Sequence, residues 1–201
     1  MILVNGVLDL YCGGLGFLML LVTTARGKRH ARASRVSLVM LLLTTVMLLA
    51  DGAGFCFFHR DPKWDRVFAF LFLLSCACFY AIAVCYTWYL LEILGLGGGK
   101  AAKTLVLVTV FSAFSGFVFW SVNIFRPFFY NIYTLRVINP VIYRVGNMPG
   151  TIIVVIDLLL LLRHARQLEK TELVLLLLMP SLPLISSMIG HILPGLSLQI
   201  G

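Results

Sequence analysis

Residues Val36 to Phe58 read VSLVMLLLTTVMLLADGAGFCFF, 23 consecutive positions whose one charged residue is Asp51. A helix needs roughly 20 apolar residues to cross about 30 Å of hydrocarbon, so this stretch is long enough to span a bilayer. The run is continuous rather than alternating, and backbone polar groups in lipid must be satisfied within the chain, which favours a helix over a barrel strand. Outward from it lie five further stretches of the same kind: Ile2 to Thr24, Val67 to Leu94, Thr104 to Ile124, Met148 to Leu162 and Leu173 to Ile192. With 61% hydrophobic and 12% charged residues, the composition is that of an integral membrane protein. The predicted fold is all-α, a polytopic membrane bundle of six transmembrane helices forming one domain over residues 1–201.

The distribution of Lys and Arg sets an orientation. The first connection carries Arg26, Lys28, Arg29, Arg32 and Arg35, the third Lys100 and Lys103, and the fifth Arg163, Arg166 and Lys170, whereas the second and fourth carry six between them. The positive-inside tendency then makes the odd connections cytoplasmic and predicts a multi-pass protein of the plasma membrane with its N-terminus outside. No basic residue precedes the first apolar run, so it reads as a retained helix rather than a signal peptide. The net charge of +8 is mostly topology and contact with anionic lipid, and a nucleic-acid partner is not expected.

Three aspartates, Asp9, Asp51 and Asp157, sit inside separate apolar runs. A carboxylate at membrane depth costs several kcal/mol unless it faces a partner or a watery cavity, so each marks a candidate site. Counted from the outer ends of their runs, all three are expected roughly 10 to 14 Å into the membrane from one side, in a single layer. Helical spacing groups Asn5, Asp9, Cys12, Gly13 and Gly16 on the first helix, and Thr44, Asp51 and Gly54 on the second. The fourth offers Ser112, Gly116 and Asn123, and the sixth Ser187 and His191. A polar cavity open to the outside can be assembled from Asp9, Asp51, Asp157, Asn5, Asn123 and His191. The competing reading makes each Asp an interhelical hydrogen-bond partner that binds nothing. Arg126 and Arg144 are the outer-loop cations that could reach such a layer.

The longest connection, from Phe125 to Asn147, reads as a short β-hairpin on the outer face or, equally, as an interfacial segment with its aromatics in the headgroup belt. One strand lies around Tyr133 to Val137, a turn at Asn139-Pro140, and a second strand at Val141 to Val145. Other motifs carry no chemistry. Gly95 to Lys100 (GLGGGK) lacks a phosphate loop's first Gly at Leu94 and its hydroxyl at Ala101. Cys12, Cys56, Cys76, Cys78 and Cys85 form no C-x-x-C and all lie in apolar runs, so neither a metal nor a redox role is expected. Ser115 and His191 differ by about 10 Å in depth and make no catalytic dyad. His191 is the one membrane histidine, too few for haem. No cofactor, metal or enzymatic activity is expected. Pro180 and Pro183 dispose the sixth helix to kink.

Asn5-Gly6-Val7-Leu8-Asp9-Leu10-Tyr11-Cys12-Gly13, the basic loop, Leu48-Leu49-Ala50-Asp51, Tyr143-Arg144-Val145-Gly146, the double-proline helix and Pro194-Gly195-Leu196-Ser197-Leu198 together resemble one known region. It is the multi-helix N-terminal sensor region of bacterial membrane signalling proteins. In that family a last helix leads through a coiled segment into a diguanylate cyclase or histidine kinase domain, and Asp9 and Asp51 match its two recurrent acids. The resemblance implies a sensory input domain for an external or membrane-borne signal, with an output domain downstream and a seventh helix beginning where this sequence stops. The expected partners are membrane lipid, an unidentified small ligand or ion, and a second copy of the chain as a homodimer. The alternative function is a small transporter or ion-binding membrane protein, against which stands the lack of an internal repeat.

Overall fold

The computed structural model describes residues 2–25, 32–57, 62–132 and 136–178. Within them run five long helices: α1 (Ile2–Ala25), α2 (Arg32–Phe57), α3 (Asp65–Ile93), α4 (Lys100–Phe125) and α5 (Pro140–His164). A further helical segment covers 170–178. Helices α2 to α5 are each long and apolar enough to cross a membrane, and α1 contributes the apolar stretch Val7–Met19. The remainder of the sixth predicted span, with Ser187, His191 and the expected start of a seventh helix, lies outside the described residues.

Helix α1 packs on α2 and α2 on α3, while α3 also meets α4 and α5, which pack on each other. Helix α3 is therefore the element that joins the rest. Its C-terminal end lies in a core of Met40, Tyr86, Leu90, Leu161 and Leu176. At mid-height Tyr80, Ala113 and Ile153 meet. At the other end Phe68, Ile124, Phe129, Tyr130 and Ile132 are buried together. Small residues set the helix spacing, because without a hydrophobic drive in lipid close backbone approach supplies the packing. A Cβ at Gly116 would collide with the Tyr80 hydroxyl and the ring carbon that bears it, and one at Gly13 would stand 2.9 Å from the Leu49 side chain. Helix α4 turns the opposite face outward: Leu107, Phe111, Phe114, Val118, Val122 and Phe125 follow helical spacing, with Phe111 73% exposed. A continuous stripe of that kind is suited to acyl chains rather than water.

The GLGGGK stretch is the α3–α4 turn. Gly95 takes φ +67, and the Gly95 and Leu96 amides donate back to the Glu92 and Leu91 carbonyls at 3.2 and 2.8 Å. That pair of bonds is the Schellman closure of a helix, which requires a left-handed residue where only glycine is unstrained.

A hairpin does join α4 to α5, but its placement in the sequence corrects the expectation. Its strands are β1 (Tyr130–Asn131) and β2 (Arg136–Val137), with Tyr130 opposite Val137 and Asn131 opposite Arg136. Asn139-Pro140 is no hairpin turn: the Asn139 side chain caps α5, accepting from the Val141 and Ile142 amides at 3.1 and 3.2 Å, and Pro140 occupies the first turn. Asparagine at the cap followed by proline is a helix start, since the cap oxygen answers free amides and proline has none to lose. Val141 to Val145 is accordingly helical, and α5 begins eight residues before the expected Met148. The β-branched composition of this stretch suggested strand, and capping with tertiary packing overrode it.

Two results are expected from this packing. Gly116→Ala should lower stability by about 1–3 kcal/mol through overpacking against Tyr80, whereas Gly14→Ala, with nothing within 4 Å of the added carbon, should not. Thermal unfolding of the detergent-solubilised protein would distinguish them.

Candidate functional site

The three aspartates divide into two groups. Asp9 is 3% exposed and its Oδ2 atom is buried with no hydrogen-bond partner among the described residues. Asp51, on the neighbouring α2, lies close enough to Asp9 for the two carboxylates to interact electrostatically, and it accepts a hydrogen bond from the Ser75 side chain of α3. This pair stands near the end of the bundle formed by the start of α1 and the close of α2.

Asp157 is 2% exposed and accepts a hydrogen bond from the Thr87 hydroxyl at 2.8 Å. Ser75 and Thr87 lie twelve residues apart on α3, about 18 Å by helical rise. The single layer expected for all three acids is therefore replaced by two layers. The cause is the early start of α5: measured from Pro140 rather than Met148, Asp157 is about 25 Å from that end and about 10 Å from His164. Asp157 sits toward the other side of the bundle.

Asn123 is buried and serves the chain itself. Its side-chain oxygen accepts from the backbone amides of Phe128, Phe129 and Tyr130, each at 3.2 Å, and its amide nitrogen donates to the Tyr130 carbonyl at 2.7 Å. It gathers the loop after α4 under a roof of rings in which Phe119 stacks on Phe129 at 4.8 Å and Trp120 meets Phe129 edge-on at 5.1 Å. With its oxygen engaged by three amides, Asn123 orders the loop rather than lining the proposed cavity. The position of the Asn5 side chain, like His191, lies outside the described residues. Cys12 is exposed and lines no cavity with Asp9. On α2 the helical spacing selected Thr44, but Thr45 is the buried residue, packed against Gly16. Arg126 and Arg144 are exposed, as is every Lys and Arg side chain described, so no described basic residue reaches the acids.

Ser75, Thr87 and Tyr86 were not singled out by the sequence reading. The available signal was their polarity within the apolar 29-residue α3, since a hydroxyl in a membrane-length helix seeks a partner on another helix. Tyr86 answers a specific defect. Its hydroxyl donates to the Leu176 carbonyl, the group that in a continuing helix would accept from residue 180. Residue 180 is proline and has no N–H to offer. The tyrosine satisfies the carbonyl that the proline leaves free and ties the last described segment to α3.

No known protein family, curated protein or solved structure matches this chain.

The two-layer arrangement has a thermodynamic signature. Asp51→Asn and Asp157→Asn should be additive in stability within about 0.5 kcal/mol, as expected of separated sites, whereas Asp9→Asn and Asp51→Asn should depart from additivity. A double-mutant cycle by chemical or thermal unfolding would measure both. Asn123→Ala, which strands three amides, should cost at least about 1–3 kcal/mol, with Trp120 fluorescence reporting the loosened loop.

Proposed function

We propose that this chain is the sensory input domain of a bacterial signal-transduction protein, embedded in the plasma membrane and responding to a small ligand or ion in the outer half of its bundle. The observation that carries the reading is the Asp9 carboxylate, buried beside Asp51 with an oxygen left unpartnered. A structural acid would be expected to have its hydrogen bonds filled, as Asp157 has from Thr87. The same helix α3 carries Ser75 at the acid pair and Tyr86 at the proline-released carbonyl of Leu176. A change of charge at one layer thus has a packed element along which to act on the segment that leads onward. Energetic coupling through such an element needs two discrete arrangements, and the hydrogen bond from Tyr86 to the Leu176 carbonyl, made or broken, supplies them in this reading.

In this reading the chain crosses the membrane six times, with its N-terminus and the hairpin outside and the basic segment Arg26 to Arg35 in the cytoplasm. The acids at two depths also suit a second reading, a small transporter or ion-binding protein, since intramembrane carboxylates mark ion paths as well as sensors. Ion uptake into liposomes containing the chain separates the two: a sensor moves no net ion.

Two experiments test the proposal. In a background lacking native cysteines, an impermeant thiol reagent applied outside should modify Thr134→Cys and spare Arg29→Cys; the reverse pattern would overturn the orientation. In the native host, Asp51→Asn and Tyr86→Phe should each change signal output, read as cyclic di-nucleotide level or phosphotransfer, with membrane abundance unaltered. Output identical to wild type in both variants would remove the sensory assignment.

A further inference from the structure

The acid pair constrains its own ligand. Asp9 offers a buried, unpartnered Oδ2, Asp51 a second carboxylate, and Ser75 a hydroxyl already in contact with Asp51. The other titratable groups close to Asp51 are the thiols of Cys76 and Cys78 on α3, and neither supplies positive charge. Every described Lys and Arg side chain is exposed. A buried carboxylate at Asp9 near a half-buried one at Asp51 is not a stable arrangement when both are ionised, because desolvation adds to their mutual repulsion. A positive charge is required, and the packing limits its size. One turn along α1 from Asp9, a Cβ at Gly13 would already stand 2.9 Å from Leu49, and at Gly16 the Thr45 hydroxyl would be 2.7 Å away. The α1–α2 interface is thus closed on the Gly13 side of the pair, where the body of an organic cation would not fit.

We infer that Asp9 and Asp51 hold one small monovalent cation between α1 and α2, a sodium ion or a proton, with the Ser75 hydroxyl at its edge. The donors are hard oxygens, which suit either and give no purchase to soft metals. One positive charge leaves the pair singly negative, and the hydrogen bond from Ser75 answers what remains. The inference rests on the same acid pair as the sensory reading. It requires no output domain, so binding can fail while signalling persists, and the reverse.

The test uses the whole chain in lipid nanodiscs. Sodium chloride replaces choline chloride at constant ionic strength and pH while the unfolding temperature is followed, and infrared spectroscopy in sodium-free buffer reads the C=O stretch of protonated carboxylic acids. If sodium is the ligand, the unfolding temperature rises saturably, and Asp9→Asn or Asp51→Asn weakens half-saturation by about tenfold or more. If the proton is the ligand, sodium has no effect and the carboxylic-acid band is present in wild type but lost in the Asp9→Asn, Asp51→Asn double variant. Ser75→Ala removes no charge and keeps the test open should the aspartate variants fail to fold: it should weaken the sodium response or shift the acid band. A wild-type protein with neither a sodium response nor such a band overturns the inference. So does either signal persisting unchanged in all the variants, or a saturable response to calcium in place of sodium.

Discussion

A polar group inside this bundle can be satisfied only by another group of the protein, because the surface around it is apolar and suited to lipid. Much of the architecture answers that constraint. The Leu176 carbonyl, which Pro180 cannot serve, is taken by Tyr86 of α3. Asp157 is answered by Thr87 one residue further on. Three amides of the loop after α4 converge on Asn123. Against that background the unpartnered oxygen of Asp9 stands out, on a residue whose charged neighbour is a second acid rather than a base.

Helix α3 is where these solutions meet. It packs on α2, α4 and α5, and its polar side chains serve different neighbours in turn: Ser75 reaches Asp51 of α2, Tyr80 fills the space left by Gly116 of α4, and Thr87 reaches Asp157 of α5. The distribution follows from geometry. A helix of 29 residues surrounded on several sides presents each successive polar position to a different partner. Its polar groups therefore specify which helices adjoin it and at what height, while the apolar majority supplies area without direction.

Most helix limits were legible from hydropathy: the runs expected at Ile2 to Thr24, Val36 to Phe58, Val67 to Leu94 and Thr104 to Ile124 correspond to α1 through α4. The fifth was misplaced at its start because Val141 to Val145 has strand-like composition, although Asn139-Pro140 already held the capping signal. That error of eight residues moved Asp157 into the wrong layer. The buried carboxylates Asp9 and Asp157 were recognisable at once, since charge in an apolar run is conspicuous. Ser75, Tyr86 and Thr87 were not, because a hydroxyl in such a run is common and gains meaning from what faces it.

Sequence alone determined the class of solvent this chain is built for, the helices that solvent demands, and the acids whose burial needs a reason. Hydropathy and charge are properties of residues and of their spacing along one helix, so they survive without knowledge of neighbours. Only the tertiary structure decided that Asp9 lies near Asp51, that Asp157 belongs to Thr87 in a separate layer, and that Asn123 serves a loop. Each of those outcomes depends on the axial offset and rotation of one helix against another. Periodicity says which residues share a face of a helix and leaves open what that face meets.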